Sequence, residues 1–270
     1  MPGRYTAGVA QTADTPLPDG VTLVRAPNPG PMTLDGTNSW VLRAPGARGS
    51  LVIDPGPADD AHLARLAEGG VELVLITHRH PDHTEAVDAF ARLTGAPVRA
   101  IDPAWCRGAD PLGDGERVGA GGMVLEVLAT PGHTSDSACF ALLTREGDPP
   151  LAVFTGDTVL GRGTTIIAHP DGALGPYLEA LHRLRKLGDG DPVAVLPGHG
   201  PVLPDLAAIC DAYLAHRAER LDQIREALAR LGADASPEAV TDDVYADVDP
   251  TVRGAAEASV RAQLEYLRAE

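Results

Sequence analysis

The stretch His78-Arg79-His80-Pro81-Asp82-His83 constrains this chain more than any other, because it sets four metal-ligand side chains within six residues. It follows the apolar run Leu73-Val74-Leu75-Ile76, which reads as a buried strand ending at Thr77. A strand end can project side chains into a shared pocket while the sheet holds its backbone still. Neutral imidazoles and a carboxylate suit a borderline-soft divalent cation such as zinc.

Three further segments repeat the arrangement. Val124 to Ala129 leads into Thr130-Pro131-Gly132-His133, Leu151 to Phe154 into Thr155-Gly156-Asp157, and Val193 to Leu196 into Pro197-Gly198-His199. Each is an apolar run, then a glycine that lets the backbone turn sharply, then one potential ligand. Strand ends on one edge of a sheet converge. His78, His80 and His133 can therefore make one site, and Asp82, His83 and His199 a second. Asp157 lies between them and offers an oxygen to each ion. A position left open between two ions marks a catalytic rather than a structural site. The three cysteines, Cys106, Cys139 and Cys210, have no paired spacing that would build a closed thiolate site.

These segments resemble the metallo-β-lactamase (MBL) fold superfamily of metal-dependent hydrolases, whose pattern is H-x-H-x-D-H, then a His, a bridging Asp and a final His. Asn28-Pro29-Gly30-Pro31-Met32-Thr33, Gly36-Thr37-Asn38-Ser39-Trp40 and Gly161-Arg162-Gly163-Thr164-Thr165 are similar to its lactamase-beta-2-like branch. The resemblance covers residues 21–205 strongly and the C-terminal part more loosely. It implies an α/β fold, the αββα MBL sandwich, with a glyoxalase-II-like set of seven ligands for two divalent ions, zinc first and iron or manganese as alternatives. Glu85 departs from the pattern, since many members carry glycine there. It would make the entrance beside His83 bulkier or more acidic and narrow the substrate range.

The pattern along the chain agrees with such a fold. Strands are expected near 21–26, 37–43, 50–54, 71–76, 98–101, 122–129, 137–143, 151–155 and 193–196, with helices near 59–68, 84–93 and 173–187. Residues 1–20 form an N-terminal extension and 21–205 the catalytic domain. From 206 to 270 the pattern is purely helical. Apolar positions from Leu206 to Leu231 recur at helical spacing, and Ser236-Pro237 and Asp249-Pro250 look like helix starts. This part resembles the winged-helix-like appendage of the same branch. A packing and dimer-supporting cap fits its acidic residues Asp242, Asp243, Asp247 and Asp249 better than DNA recognition.

Charge separates the substrate classes. Twenty-two basic against thirty-eight acidic residues give a net charge of −16. Phosphate contacts dominate nucleic-acid affinity, so a generic binder carries a basic surface. A small acyl substrate (thioester, ester or lactone) is therefore the first expectation. Single-stranded RNA, which the branch itself implies, is the second, and a non-catalytic metal-dependent binding module the third. β-Lactam hydrolysis is disfavoured, because the lactamase classes with this motif lack the bridging Asp157. The N-terminus shows no secretory pattern, and no apolar run approaches the ~20 residues that span a bilayer. With three scattered cysteines, the expected location is a reducing cytoplasm.

Two cations sharing one water would bring its pKa toward ~7 and supply hydroxide at neutral pH. Asp82 is the candidate that orients this nucleophile and carries its proton. Asp54, Thr77 and Thr134 are candidates for fixing ligand orientation from behind. Arg162, His169 and Asn38 are the substrate-side candidates, with Arg162 suited to an anion. His62, His182 and His216 read as surface or satisfied core residues.

Overall fold

Apolar, often β-branched runs set two sheets whose central strands are buried on both faces. The computed structural model describes residues 15–144, 149–246 and 252–269. The first sheet runs β1 (Val21–Arg25), β2 (Asn38–Leu42), β3 (Ser50–Ile53), β4 (Val71–Leu75) and β5 (Val98–Arg99) in that order. Its first three strands pair antiparallel, and β3, β4 and β5 are parallel. The second sheet has the order β10 (Ala194–Pro197), β9 (Ala152–Gly156), β8 (Ala138–Leu143), β7 (Met123–Ala129) and β6 (Arg117–Ala120). There the β9–β10 pair is parallel and the others antiparallel.

Period-two alternation sends each strand's side chains to two different cores. Leu73 and Leu75 of β4 join Phe140 and Leu142 of β8 in the core between the sheets, where Trp40 meets Phe154 edge-on at 5.6 Å. Val74 and Ile76 face outward onto helices α1 (Asp60–Leu66) and α3 (Val87–Thr94). Cys139, Ala141, Val153 and Val195 face the other way, onto α4 (Leu174–Leu187) and α5 (Leu206–Leu231). With both faces covered, the strands read as continuous apolar runs. The layers are helix, sheet, sheet, helix, as expected.

The differences are local. The expected helix over 84–93 is broken: a short turn, α2 (Pro81–Thr84), ends where Ala86 N–H bonds to Gly56 O at 3.1 Å, and α3 starts anew. Strand β6 adds an edge that the sequence pattern does not signal, because Arg117-Val118-Gly119-Ala120 carries little apolar bulk. The expected strand at 98–101 is two residues long. After Asp205 caps α5 through Ala208 N–H (3.0 Å), α6 (Pro237–Val244) follows with Ser236 as its cap, and then α7 (Arg253–Ala269). The proposed start at Asp249-Pro250 lies outside the described residues. Among the described residues no strand follows β10, so a wing hairpin has no counterpart there. Leu206, Ile209 and Tyr213 of α5 belong to the core under the second sheet, while Ile224 and Ala227 pack with Val240, Val260 and Leu264 in a separate small core.

Two backbone bonds stitch the sheets together at the edge where the ligand-bearing loops emerge. Ala138 N–H reaches Thr77 O at 2.8 Å, and Asn38 N–H reaches Gly198 O at 2.8 Å.

Candidate metal centre

All seven expected ligands meet at this edge. His78 follows β4, His80 immediately precedes α2, and Asp82 and His83 sit within α2. His133 follows β7, Asp157 follows β9, and His199 follows β10. His78, His80 and His133 form one group of donors, and Asp82, His83 and His199 another. In the first, His78 Nε2 lies 3.1 Å from His80 Nδ1, which lies 2.9 Å from His133 Nε2. In the second, His199 Nε2 lies 3.2 Å from His83 Nε2 and 3.0 Å from Asp82 Oδ2. Ligands about 2.1 Å from a tetrahedral zinc would stand roughly 3.4 Å apart. The Asp157 carboxylate lies within 4 Å of four histidines: Oδ1 is 3.6 Å from His83, and Oδ2 is 3.4, 3.8 and 3.9 Å from His199, His133 and His78.

The residues fit divalent cations on two observations. Asp157 Oδ1 is buried and has no hydrogen-bond donor, a costly state for a carboxylate oxygen unless a cation faces it. The outward nitrogen of most of the histidines is held by an acceptor, which frees the inward nitrogen's lone pair. His133 Nδ1–H donates to Ile166 O at 2.6 Å, His83 Nδ1–H to Asp54 Oδ2 at 2.8 Å, and His199 Nδ1–H to Gly36 O at 3.3 Å. Thr77 Oγ1 donates its proton to Asp54 Oδ2 (2.7 Å) and so accepts from His78 Nδ1–H (3.0 Å). These contacts fix which tautomer presents Nε2.

The electrostatics divide the cluster. Burial, with the neighbouring imidazoles, lowers the proton affinity of His78 and His133 and pushes His80 down to about 4. Burial also opposes charge on His83 and His199, but carboxylates override it. Asp54, Asp82 and Asp157 hold His83 well above the ordinary value, and Asp157 with Asp82 lifts His199 to about 9. Against their own burial, Asp82 and Asp157 are held far below the usual carboxylate range by His83 and His199. The pocket around the second group thus draws positive charge.

Asp54 sits at φ +54°, a left-handed conformation that Asp tolerates better than most residues. There its carboxylate also accepts from Thr77 N–H (2.8 Å), which ties Asp54 and Thr77 together behind His78 and His83. Glycine is required beside the cluster: a Cβ on Gly198 would lie 2.6 Å from Asp157 Oδ1 and 2.9 Å from His83 Cε1.

The remaining candidates make contacts of their own. Thr134 Oγ1 bonds to Ser137 Oγ at 2.8 Å and shapes its own turn rather than bracing a ligand. Asn38 is fully buried. Its Nδ2 donates to Pro197 O (3.0 Å) and Gly200 O (2.9 Å), so it fixes the loop carrying His199 rather than touching substrate. Arg162 is clamped by Asp35 through two bonds of 2.6 and 2.9 Å on the surface, and His169 pairs with Glu265 of α7 at 3.1 Å. Glu85 is exposed, with Oε2 directed at Ala58 N–H (3.3 Å), so it engages the β3–α1 loop. His62 is a buried core residue whose Nε2 bonds to Ser39 Oγ at 2.9 Å. Sequence reading missed Thr37, whose hydroxyl lies 3.4 Å from Asp82 Oδ2 and accepts from Asn28 Nδ2 at 3.0 Å. It also missed Arg79, which bonds Asp136 (3.1 Å), Asp171 (3.1 Å) and Asp102 (3.4 Å) and ties the ligand loop to its neighbours.

A model of the metallo-beta-lactamase superfamily matches residues 32–199. The chain belongs to this superfamily. As a member it is a metal-dependent hydrolase, and its His/Asp groups are those compatible with a metal site. The Beta-lactamase-like protein 2 homolog of Caenorhabditis elegans is 32% identical over 264 residues, 93% of this chain and 85% of the relative. Atrochrysone carboxyl ACP thioesterase of Aspergillus fumigatus is 32% identical over 221 residues, 78% of this chain and 65% of that protein. A metallo-beta-lactamase family protein of Thermus thermophilus shares the fold with a TM-score of 0.75 at 24% identity, covering 93% of both chains.

Proposed function

We propose that this superfamily member is a binuclear hydrolase of small acyl substrates, with thioesters first among them. The carrying observation is the Asp157 carboxylate, which lies between the two donor groups with a buried oxygen free of any hydrogen bond. Two divalent ions bound there, zinc before iron or manganese, would acidify water and polarise a carbonyl as Lewis acids. His78, His80 and His133 would hold one ion, and Asp82, His83 and His199 the other, with Asp157 shared.

Asp82 is the catalytic candidate. Its side chain is 27% exposed against 11% for Asp157, so it can exchange with solvent. Its low proton affinity suits orienting a water more than storing its proton, since an efficient base has a pKa near the working pH. Thr37 aims its hydroxyl at the same carboxylate. Asp54 and Thr77 hold the ligand tautomers.

The acyl substrate is supported by the relative named a thioesterase and by the net charge of −16, which gives RNA little electrostatic footing. The same reading divides the chain near residue 205, with the helical part from 206 to 270 serving as a packing cap rather than a DNA reader. Among the described residues no helix is long and apolar enough to cross a membrane, and the free thiols suit the cytoplasm.

The test is elemental analysis of purified protein together with thioester, lactone and single-stranded RNA assays. About two equivalents of metal and thioester turnover, lost in Asp157→Ala, support the reading. RNA cleavage with the same dependence, or a single equivalent of metal in active protein, overturns it.

A further inference from the structure

A cavity of about 330 Å³ lies between the segment Gly163–Ile166 and the C-terminal helices. One wall is apolar, with Val252, Ala255 and Ala256, and the other presents Arg217, Arg220 and Thr164. In a chain of net charge −16, none of the lining side chains among the described residues is acidic. Burial, with Arg217 and Arg220 alongside, pushes His216 down to about 4, so two guanidinium groups carry the positive charge at neutral pH.

Arg217 is the unusual member. It is 5% exposed, stacks on Tyr177 at 5.2 Å and donates to Thr165 O, yet its buried Nε–H has no acceptor. No carboxylate among the described residues pairs with it. A buried cation without a counter-charge is costly, and an anion entering the cavity would relieve that cost. The volume falls in the range of small-ligand pockets.

The cavity also shares a wall with the metal centre. Ile166 O takes the proton of His133 Nδ1, and Thr165 Oγ1 donates to Asp157 O at 2.7 Å. Binding energy gathered at a remote group of a substrate can be used at its reacting end.

We propose that this cavity is the subsite for an anionic group of the substrate, a phosphate or carboxylate remote from the scissile bond, held by Arg217 and Arg220. The identity of the reacting bond rests on the acyl-hydrolase reading above, whereas the subsite does not.

The experiment compares three thioesters of matched chain length: an acyl phosphopantetheine, the acyl N-acetylcysteamine lacking the phosphate, and an N-acetylcysteamine thioester whose acyl group ends in a carboxylate. In parallel, calorimetry measures binding of S-methyl phosphopantetheine and of uncharged S-methyl pantetheine to the metal-loaded protein. We expect at least a tenfold preference, about the worth of one charge-assisted bond, for one charged thioester over the uncharged one. Preference for the first places a carrier phosphate in the cavity, and preference for the second an acyl carboxylate. Arg217→Met should erase the preference through KM while turnover of the uncharged thioester persists. Because Arg217 is buried, Arg220→Gln and the cavity-filling Ala256→Leu repeat the test from less buried positions. Equal use of charged and uncharged thioesters by wild type, or a preference that survives all three variants, overturns the subsite and leaves the hydrolase reading intact. Arginine-dependent binding of the charged thioether without any thioester turnover overturns the hydrolase reading and leaves the subsite standing.

Discussion

The two donor groups of the candidate metal centre are built from nearly the same side chains and behave oppositely toward protons. His78, His80 and His133 are driven toward neutrality, whereas His83 and His199 are held above the ordinary histidine value. The carboxylates around each ring decide this, since His199 also leans on a backbone carbonyl, Gly36 O, and is raised against its burial by Asp157 and Asp82. His133 leans on a backbone carbonyl and His78 on a threonine hydroxyl, both uncharged. His83 leans on the Asp54 carboxylate, and Asp82 is itself a member of the second group. One group is a set of neutral lone pairs, and the other is a negatively backed pocket that attracts positive charge even before any ion enters. Two ions of the same element placed here would feel different fields.

Asp157 is the one side chain common to both groups, so Asp157→Ala should have the largest effect. We expect hydrolase activity to fall by more than the ~10–100-fold typical of an outer partner's loss, with metal content reduced at both positions. Elemental analysis beside kinetics checks this. Full activity with unchanged metal would remove the basis for treating the groups as one centre.

The next comparison separates the groups. His133→Ala should abolish retention at the three-histidine position and leave about one equivalent of metal. His199→Ala should leave about one equivalent at the other. The equivalent surviving in His133→Ala should resist a chelator longer, because it sits against Asp82 with Asp54 behind. Equal resistance in the two variants would mean that the charge difference does not reach the metal.

The clustering of these seven side chains was legible in the chain because the H-x-H-x-D-H run is local, and because each of the other three follows an apolar run and a glycine. The sandwich was legible for the same reason, since continuous apolar runs imply strands covered on both faces. Side-chain direction was not. Asn38 and Thr134 lie in motifs that mark the centre, yet their polar atoms turn to Pro197, Gly200 and Ser137. Arg162 and His169 find partners far along the chain, Asp35 and Glu265, which no spacing rule could have paired. The break between α2 and α3 depends on Gly56 O, a tertiary acceptor that local helix propensity does not include.

Asp54→Asn gives an intermediate perturbation. Asn tolerates the left-handed backbone and can keep accepting from Thr77, but it removes the charge facing His83. The second group should lose roughly 10–100-fold in metal affinity, and the first much less. The raised proton affinity of His83 should fall with it, which NMR titration of the metal-free protein reads directly. If His83 titrates unchanged in the variant, Asp54 is not the source of its shift.

Thr77→Val is the mildest and most selective change, because it removes a hydroxyl at nearly constant volume. The backbone bond from Thr77 N–H to Asp54 remains, as does the bond from His83 to the same carboxylate. His78 Nδ1–H loses its acceptor, leaving a buried donor unpaired and the tautomer that presents Nε2 less favoured, while Asp54 Oδ2 loses one donor but keeps His83. The three-histidine position should therefore weaken by about tenfold, the lower end of the range for an outer partner, while the second position keeps its affinity. A two-step calorimetric titration resolves the two events. Weakening of both steps alike would show that Thr77 acts through Asp54, and that the groups share their support as well as Asp157.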